Sequence, residues 1–224
     1  SHAQQQQRLR RSQRQRDSGP GTRLTDMDPH LLKNLILRRR TRKPALFEDS
    51  SPTQETIRGL IEIARHAPNH HRTEPARFYL LDSRRIEQIA KLYGEVVAGD
   101  GSDPQLVERG RKKSIEWAKV PGLLVVTCLT DRTSDLVRKK PAVIEEDYAT
   151  CCCICQNLLL LFEAEGIACK WSTGPVWEHP RFPDALGMEN ATHERVVALL
   201  FYGYSQQTPP NRSMLPLDRV LRTN

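Results

Sequence analysis

The stretch RHAPNHHRTEP, residues 65–75, decides how this chain is read. His66, His70, His71 and Glu74 fall within nine positions, which is the vocabulary of a metal site, an acid–base cluster or a polar loop at a helix end. His66 and His70 have the i, i+4 spacing that places two ligands on one helix face. Pro68 lies between them, and proline stops a helix by removing an N–H and clashing with the preceding turn. The expectation is therefore a polar loop and no metal ligand set, with His71 left without a role.

The residues before this stretch show why it begins where it does. Ile57, Leu60, Ile61 and Ala64 recur at helical spacing. Ser51 is placed to cap that helix, Pro52 suits its first turn, and Gln54 completes a capping box. Upstream, Leu31, Leu32, Leu35 and Ile36 predict a helix over 29–40, ending in Arg38-Arg39-Arg40-Thr41-Arg42-Lys43-Pro44. Downstream, 77–81 predicts a strand, and 84–98 and 104–118 predict helices, the first with Ile86, Ile89, Ala90 and Tyr93 on one face. Residues 122–129 are unbrokenly apolar, as a strand covered on both faces must be. A polar loop is expected over 130–141, then a long helix over 144–165 closed by Gly166. Short and long strands follow at 167–171 and 195–202. The tail from Thr208 is expected to cross the surface or a partner subunit. Helices and strands mix without a βαβ rhythm, so the fold class is α+β.

Charge narrows the function classes. The net charge is +7, but the first 23 residues carry six arginines against Asp17 and so hold +5 of it. The remainder is nearly balanced and lacks the footprint of a nucleic-acid binder. Residues 1–25 read as a disordered basic tail, with the arginine richness of an organelle transit segment. No apolar run approaches the ~18 residues of a membrane span. Cys151, Cys152, Cys153 and Cys155 crowd into one predicted helix, which suits packing and a reducing compartment, cytoplasm or organelle matrix, rather than disulfide loops.

Two further stretches carry binding chemistry. Arg39, Arg40 and Arg42 beside Thr41 offer guanidinium forks and a hydroxyl, the donors a phosphate needs, although a solvated helix end has the same composition. Cys169-Lys170-Trp171-Ser172-Thr173-Gly174-Pro175 runs a strand into a small-residue turn where glycine lets a flat or phosphorylated ligand approach. There is no G-x-S-x-G motif and no P-loop.

The order of these motifs resembles the flavin-dependent nitroreductase family. A helix ending ArgArgThrArg, a capped helix ending AlaProAsnHis, a Pro-X-Arg-Phe strand, GluGluAspTyrAla opening a long helix, TrpSerThrGly at 171–174 and a closing strand ending TyrGlyTyr follow one another over about residues 30–222. The AlaProAsnHis form is similar to that of the compact, single-domain subgroup. The resemblance implies one FMN-binding domain over 26–224, with a central mixed, largely antiparallel sheet flanked by helices in an intertwined homodimer. It implies FMN as cofactor and NADH or NADPH as hydride donor. Nitroaromatics, quinones or similar electron-poor small molecules would be acceptors in a ping-pong cycle, with no nucleic acid and no membrane involved. Carried over by residue, Arg39, Arg40 and Thr41 match the phosphate anchor. His66 and His70 match flavin contacts, Trp171, Ser172, Thr173 and Gly174 match the second flavin segment, and Arg212 a further phosphate contact. The chemistry would be carried by FMN, with no catalytic side chain. Glu74, Ala76, Arg72 and Ser172 depart from the family pattern (commonly Gln, Trp, Asn and, in some members, Arg). A specialised flavin enzyme such as a reductive dehalogenase, or a non-catalytic flavin- or metal-binding protein, is the alternative.

Overall fold

A computed structural model describes residues 29–189, 191–209 and 211–223, so the expected tail at 1–25 lies outside the described residues. The chain divides into two units, Ser1–Leu37 and Arg38–Asn224. What is described of the first is most of helix α1, Pro29–Arg38, whose Leu31, Leu32, Ile36 and Leu37 are exposed.

The second unit is built on a four-stranded sheet. Its elements run α2 (Gln54–Ala64), β1 (Ala76–Leu80), α3 (Ser83–Ala98), α4 (Pro104–Ala118), β2 (Gly122–Leu129), α5 (Asp135–Lys139), α6 (Val143–Ala164), β3 (Ala168–Ser172), α7 (Phe182–Leu186) and β4 (Glu194–Gly203). The strand order is β1-β2-β4-β3 and all three pairings are antiparallel. A parallel contact comes from the isolated bridge between Thr41 and Cys169, so the sheet is largely antiparallel with a mixed edge, as expected.

Alternation sorts the strand side chains to two cores. Leu124, Val126, Leu200 and Tyr202 pack with Ile57 and Leu60 of α2 and with Ile154, Leu158 and Phe162 of α6. Leu123, Val125, Leu199 and Phe201 pack on the other face with Ile86 and Ile89 of α3, Trp117 of α4, and Phe182. Gly122 through Cys128 are all buried, which is the reason for the unbroken apolar run. A bulge at Val126/Thr127 sets Val197 opposite no residue of β2 and keeps both faces apolar on either side of it.

Element ends differ from the sequence reading in instructive places. The cap of α2 is Thr53, whose hydroxyl accepts from Thr56 N at 3.1 Å, so Ser51 and Pro52 lie outside the helix. Helix α1 stops at Arg38 because the following residues are taken up by the bridge to β3. The expected loop 130–141 holds α5, capped by Ser134 Oγ at 3.2 Å from Val137 N, with Val137 buried. After α6 the chain turns at Gly166, whose φ of 69° is the left-handed conformation a helix C′ residue requires.

Candidate functional site

The arginine run is brought to the edge of the sheet. Arg42 N donates to Cys169 O at 3.1 Å beside the Thr41–Cys169 bridge, so residues 41–42 run parallel to β3. β3 pairs with β4 on its other side, which makes this its free edge. The result places Arg39, Arg40 and Thr41 next to the strand that leads into Trp171, Ser172, Thr173 and Gly174. Arg39 and Arg40 are half-buried and Thr41 is exposed. Burial pushes the Cys169 thiol up, and the Arg39 charge works against that push.

Arg42, which the sequence offers as a phosphate donor beside Thr41, instead anchors this segment. Its guanidinium donates to Glu163 Oε2 at 3.2 Å, and Glu163 is a buried acid of α6 that also lies 3.9 Å from Arg38 Nε. A charge buried there needs such partners. Arg42 Nε is buried without a hydrogen-bond partner among the described residues. An orphaned N–H of this kind costs about 1–3 kcal/mol, so it is a ready donor to an anion.

At the end of β3, Trp171 is half-buried against the α2/α6 core and Ser172 is buried. Lys170 points to the other face, where burial lowers its pKa and Glu116 opposes the shift. Gly174 is fully extended, and a Cβ built on it meets nothing within 4 Å. The glycine is thus required neither by its backbone nor by a neighbour in this chain. Arg212 is exposed on the tail.

The loop of residues 65–75 is strongly held. Thr150 Oγ1 donates to Pro68 O at 2.9 Å, and Asn157 Nδ2 to Ala64 O at 3.1 Å, so α6 grips the chain on both sides of His66. Asn69 Oδ1 accepts from Glu74 N at 3.0 Å, and its amide donates to Thr73 Oγ1 at 3.1 Å. Thr73 Oγ1 in turn donates to Asp147, which is buried and also accepts from Thr130 Oγ1 at 2.7 Å. Arg72 and Glu74 have φ of 52° and 49°, left-handed values that a non-glycine residue adopts only when its surroundings impose them. His66 and His70 are exposed and His71 is half-buried. Beside the loop, Glu74, Ala76, Phe78, Thr150 and Ile154 help line a cavity of about 250 Å³.

The structure therefore groups the predicted residues in two sets, Arg39–Thr41 with β3, and His66 and His70 with α6. Both sets meet α6. Asn157, which holds the chain just before His66, is ~9 Å of helix rise from Glu163, which holds Arg42. Asp147, Thr73 and Thr130 were not singled out from sequence. The available signal was Asp147 standing on the buried stripe of α6 with Thr150, Cys151, Ile154 and Leu158. Cys151 and Cys155 behave as packing residues, whereas Cys152 is half-buried and Cys153 exposed; the Cys128 hydrogen bond holds the Cys151 thiol up, and burial does the same for Cys155.

Fold and site together define an α+β protein with an arginine-lined sheet edge and a structured polar loop on one central helix. Residues 36–204 match the model of the nitroreductase family, and the chain belongs to that family. YfhC of Bacillus subtilis (strain 168), a protein whose name assigns it provisionally to the NAD(P)H nitroreductases, is 27% identical over 189 residues, 84% of this chain and 91% of its own. A nitroreductase-like family protein from Bacillus cereus superposes with a TM-score of 0.68 at 25% identity, covering 86% of this chain and 95% of that one. A nitroreductase with bound FMN from Bacteroides fragilis gives 0.65 at 16% identity, covering 88% and 100%.

Proposed function

We propose that the chain is an FMN-dependent NAD(P)H oxidoreductase. The observation that carries this reading is the parallel bridge that lays the Arg39–Arg42 segment along β3. It collects guanidinium forks, a threonine hydroxyl and a tryptophan beside one edge. An FMN phosphate carries close to two negative charges and needs such donors. Arg39, Arg40 and Thr41 would hold it, with the orphaned Arg42 Nε as a further donor and Arg212 reaching it from the tail. Trp171, Ser172, Thr173 and Gly174 would take one side of the ring system, and His66 and His70 another. FMN, when bound, supplies the two-electron chemistry, so no protein nucleophile is needed. The chain's own task is to bind, orient and shield. The same opening would admit NADH or NADPH and, after its departure, a nitroaromatic, quinone or similar acceptor. Ala76, where the family often has a larger residue, helps line the 250 Å³ cavity on the β1 side of the sheet, which could take part of an acceptor.

The site is proposed to be completed by a second copy of the chain. Met214, Leu215 and Leu217 of the tail are each more than half exposed, apolar side chains of the kind that mark interfaces, and so, in the other unit, are Leu31, Leu32 and Leu37 of α1. The test of the cofactor assignment is charge reversal at Arg39 and Arg40 together. R39E/R40E is expected to purify folded and without flavin under conditions in which the parent chain retains it. Full flavin occupancy in the double variant would remove these residues from the site.

A further inference from the structure

We infer that His70, His71 and Glu146 form a binding site for a divalent transition-metal ion of the zinc class, with three protein ligands and a coordination position open to solvent. Pro68 keeps His66 and His70, four residues apart, off a shared helix face. The fold supplies a different trio. His70 and His71 sit in the turn that follows Asn69, and Glu146 stands in the first turn of α6.

One ligand atom from each of the three lies within 4.8 Å of the others. His71 Nε2 is 3.7 Å from Glu146 Oε2, and the two imidazole rings meet edge-on with centroids 4.3 Å apart. A tetrahedral ion with ligands at ~2.0–2.1 Å holds them about 3.3 Å apart, so side-chain rotations of roughly an ångström close the set. Two imidazoles and a carboxylate are ligands that suit zinc, cobalt and nickel better than magnesium or calcium.

The elements carrying these ligands are already locked together. Thr150 holds Pro68 O before the histidine pair, and Asp147, the residue after Glu146, holds Thr73 after it. The ligands thus need no backbone rearrangement to meet. Neighbouring carboxylates are committed elsewhere: Glu62 and Glu74 pair with Arg65, and Glu145 with Arg195. Glu146 faces His71 instead. The site rests on these three side chains and not on the flavin reading, although His70 belongs to both.

The test is titration of the full chain, stripped with EDTA, with Co²⁺ followed by visible absorption and with Zn²⁺ followed by calorimetry. The expected result is one ion per chain, bound at least roughly tenfold more weakly by H71A and by E146Q and with unchanged affinity by E145Q. Glu146 is on the surface, so E146Q keeps its fold, which far-UV circular dichroism verifies. Failure of the parent chain to bind an ion stoichiometrically would overturn the proposal, as would equal affinities in E146Q and the parent, or equal weakening by E145Q and E146Q. Flavin content measured on the same samples separates this outcome from the fate of the cofactor assignment, because neither H71A nor E146Q touches Arg39–Thr41 or Trp171–Gly174.

Discussion

Thr73 connects the loop of residues 65–75 to the interior. Its hydroxyl accepts from Asn69 and donates to Asp147, a carboxylate with almost no exposure of its own. Replacing it with valine leaves both partners short of a bond at similar volume. T73V is expected to lose about 1–3 kcal/mol and T73S to keep most of it, measured by chemical denaturation. A parent-like stability in T73V would show that the two left-handed residues, Arg72 and Glu74, are held by something else. Much of what matters at this scale was hidden in the sequence. Arg39, Arg40 and Thr41 stand out in the sequence as a donor cluster, a composition they share with a solvated helix end. Arg42 stands in the same run, but its anchoring by Glu163, far along the chain on α6, is not legible there. Ser51 and Thr53 both satisfy the composition rule for a helix cap, and only the hydrogen bond from Thr56 N to Thr53 decides between them.

Helices α3 and α4 meet through glycine. A Cβ on Gly110 would come 2.3 Å from Gly94 O and 3.1 Å from Ala98, backbone against backbone with no flexible side chain to yield. G110A is expected to destabilise by about 1–3 kcal/mol, since overpacking forces the helices apart. Gly59 of α2 is the contrast: a Cβ there meets nothing within 4 Å, and G59A is expected to gain about 0.4–1 kcal/mol. Thermal melts of the two variants should move in opposite directions; movement together would contradict the packing account. Both long helices were legible from Ile86, Ile89 and their neighbours, but nothing in a periodic pattern marks where one helix backbone touches another. The same limit hid α5 and α7. Each is five residues long, too short to show a period, and each depends on side chains it buries, Val137 in one and Phe182 and Leu186 in the other. β2 and α6 were readable because burial on both sheet faces and a 22-residue, largely apolar run closed by Gly166 leave strong marks.

For the whole molecule, the apolar side chains of α1 and the tail predict a homodimer. Light scattering on the eluting protein should give about twice the 25.6 kDa chain mass. L215E/L217E should shift the mass toward one chain and reduce flavin retention, because the tail's apolar face would no longer be covered. A monomeric parent chain that retains flavin would sever the site from the dimer. At this scale the α+β class, the order of motifs and family membership were all legible, whereas the meeting of residues 39–42 with β3 needed the fold. The central claim is tested most directly by anaerobic titration of the purified protein, supplied with FMN, by NADH and by NADPH. The account predicts a bound-flavin spectrum that one or both nicotinamides bleach and that a quinone or nitroaromatic restores. A colourless protein that takes up no FMN, or a bound flavin that neither nicotinamide reduces, would contradict it.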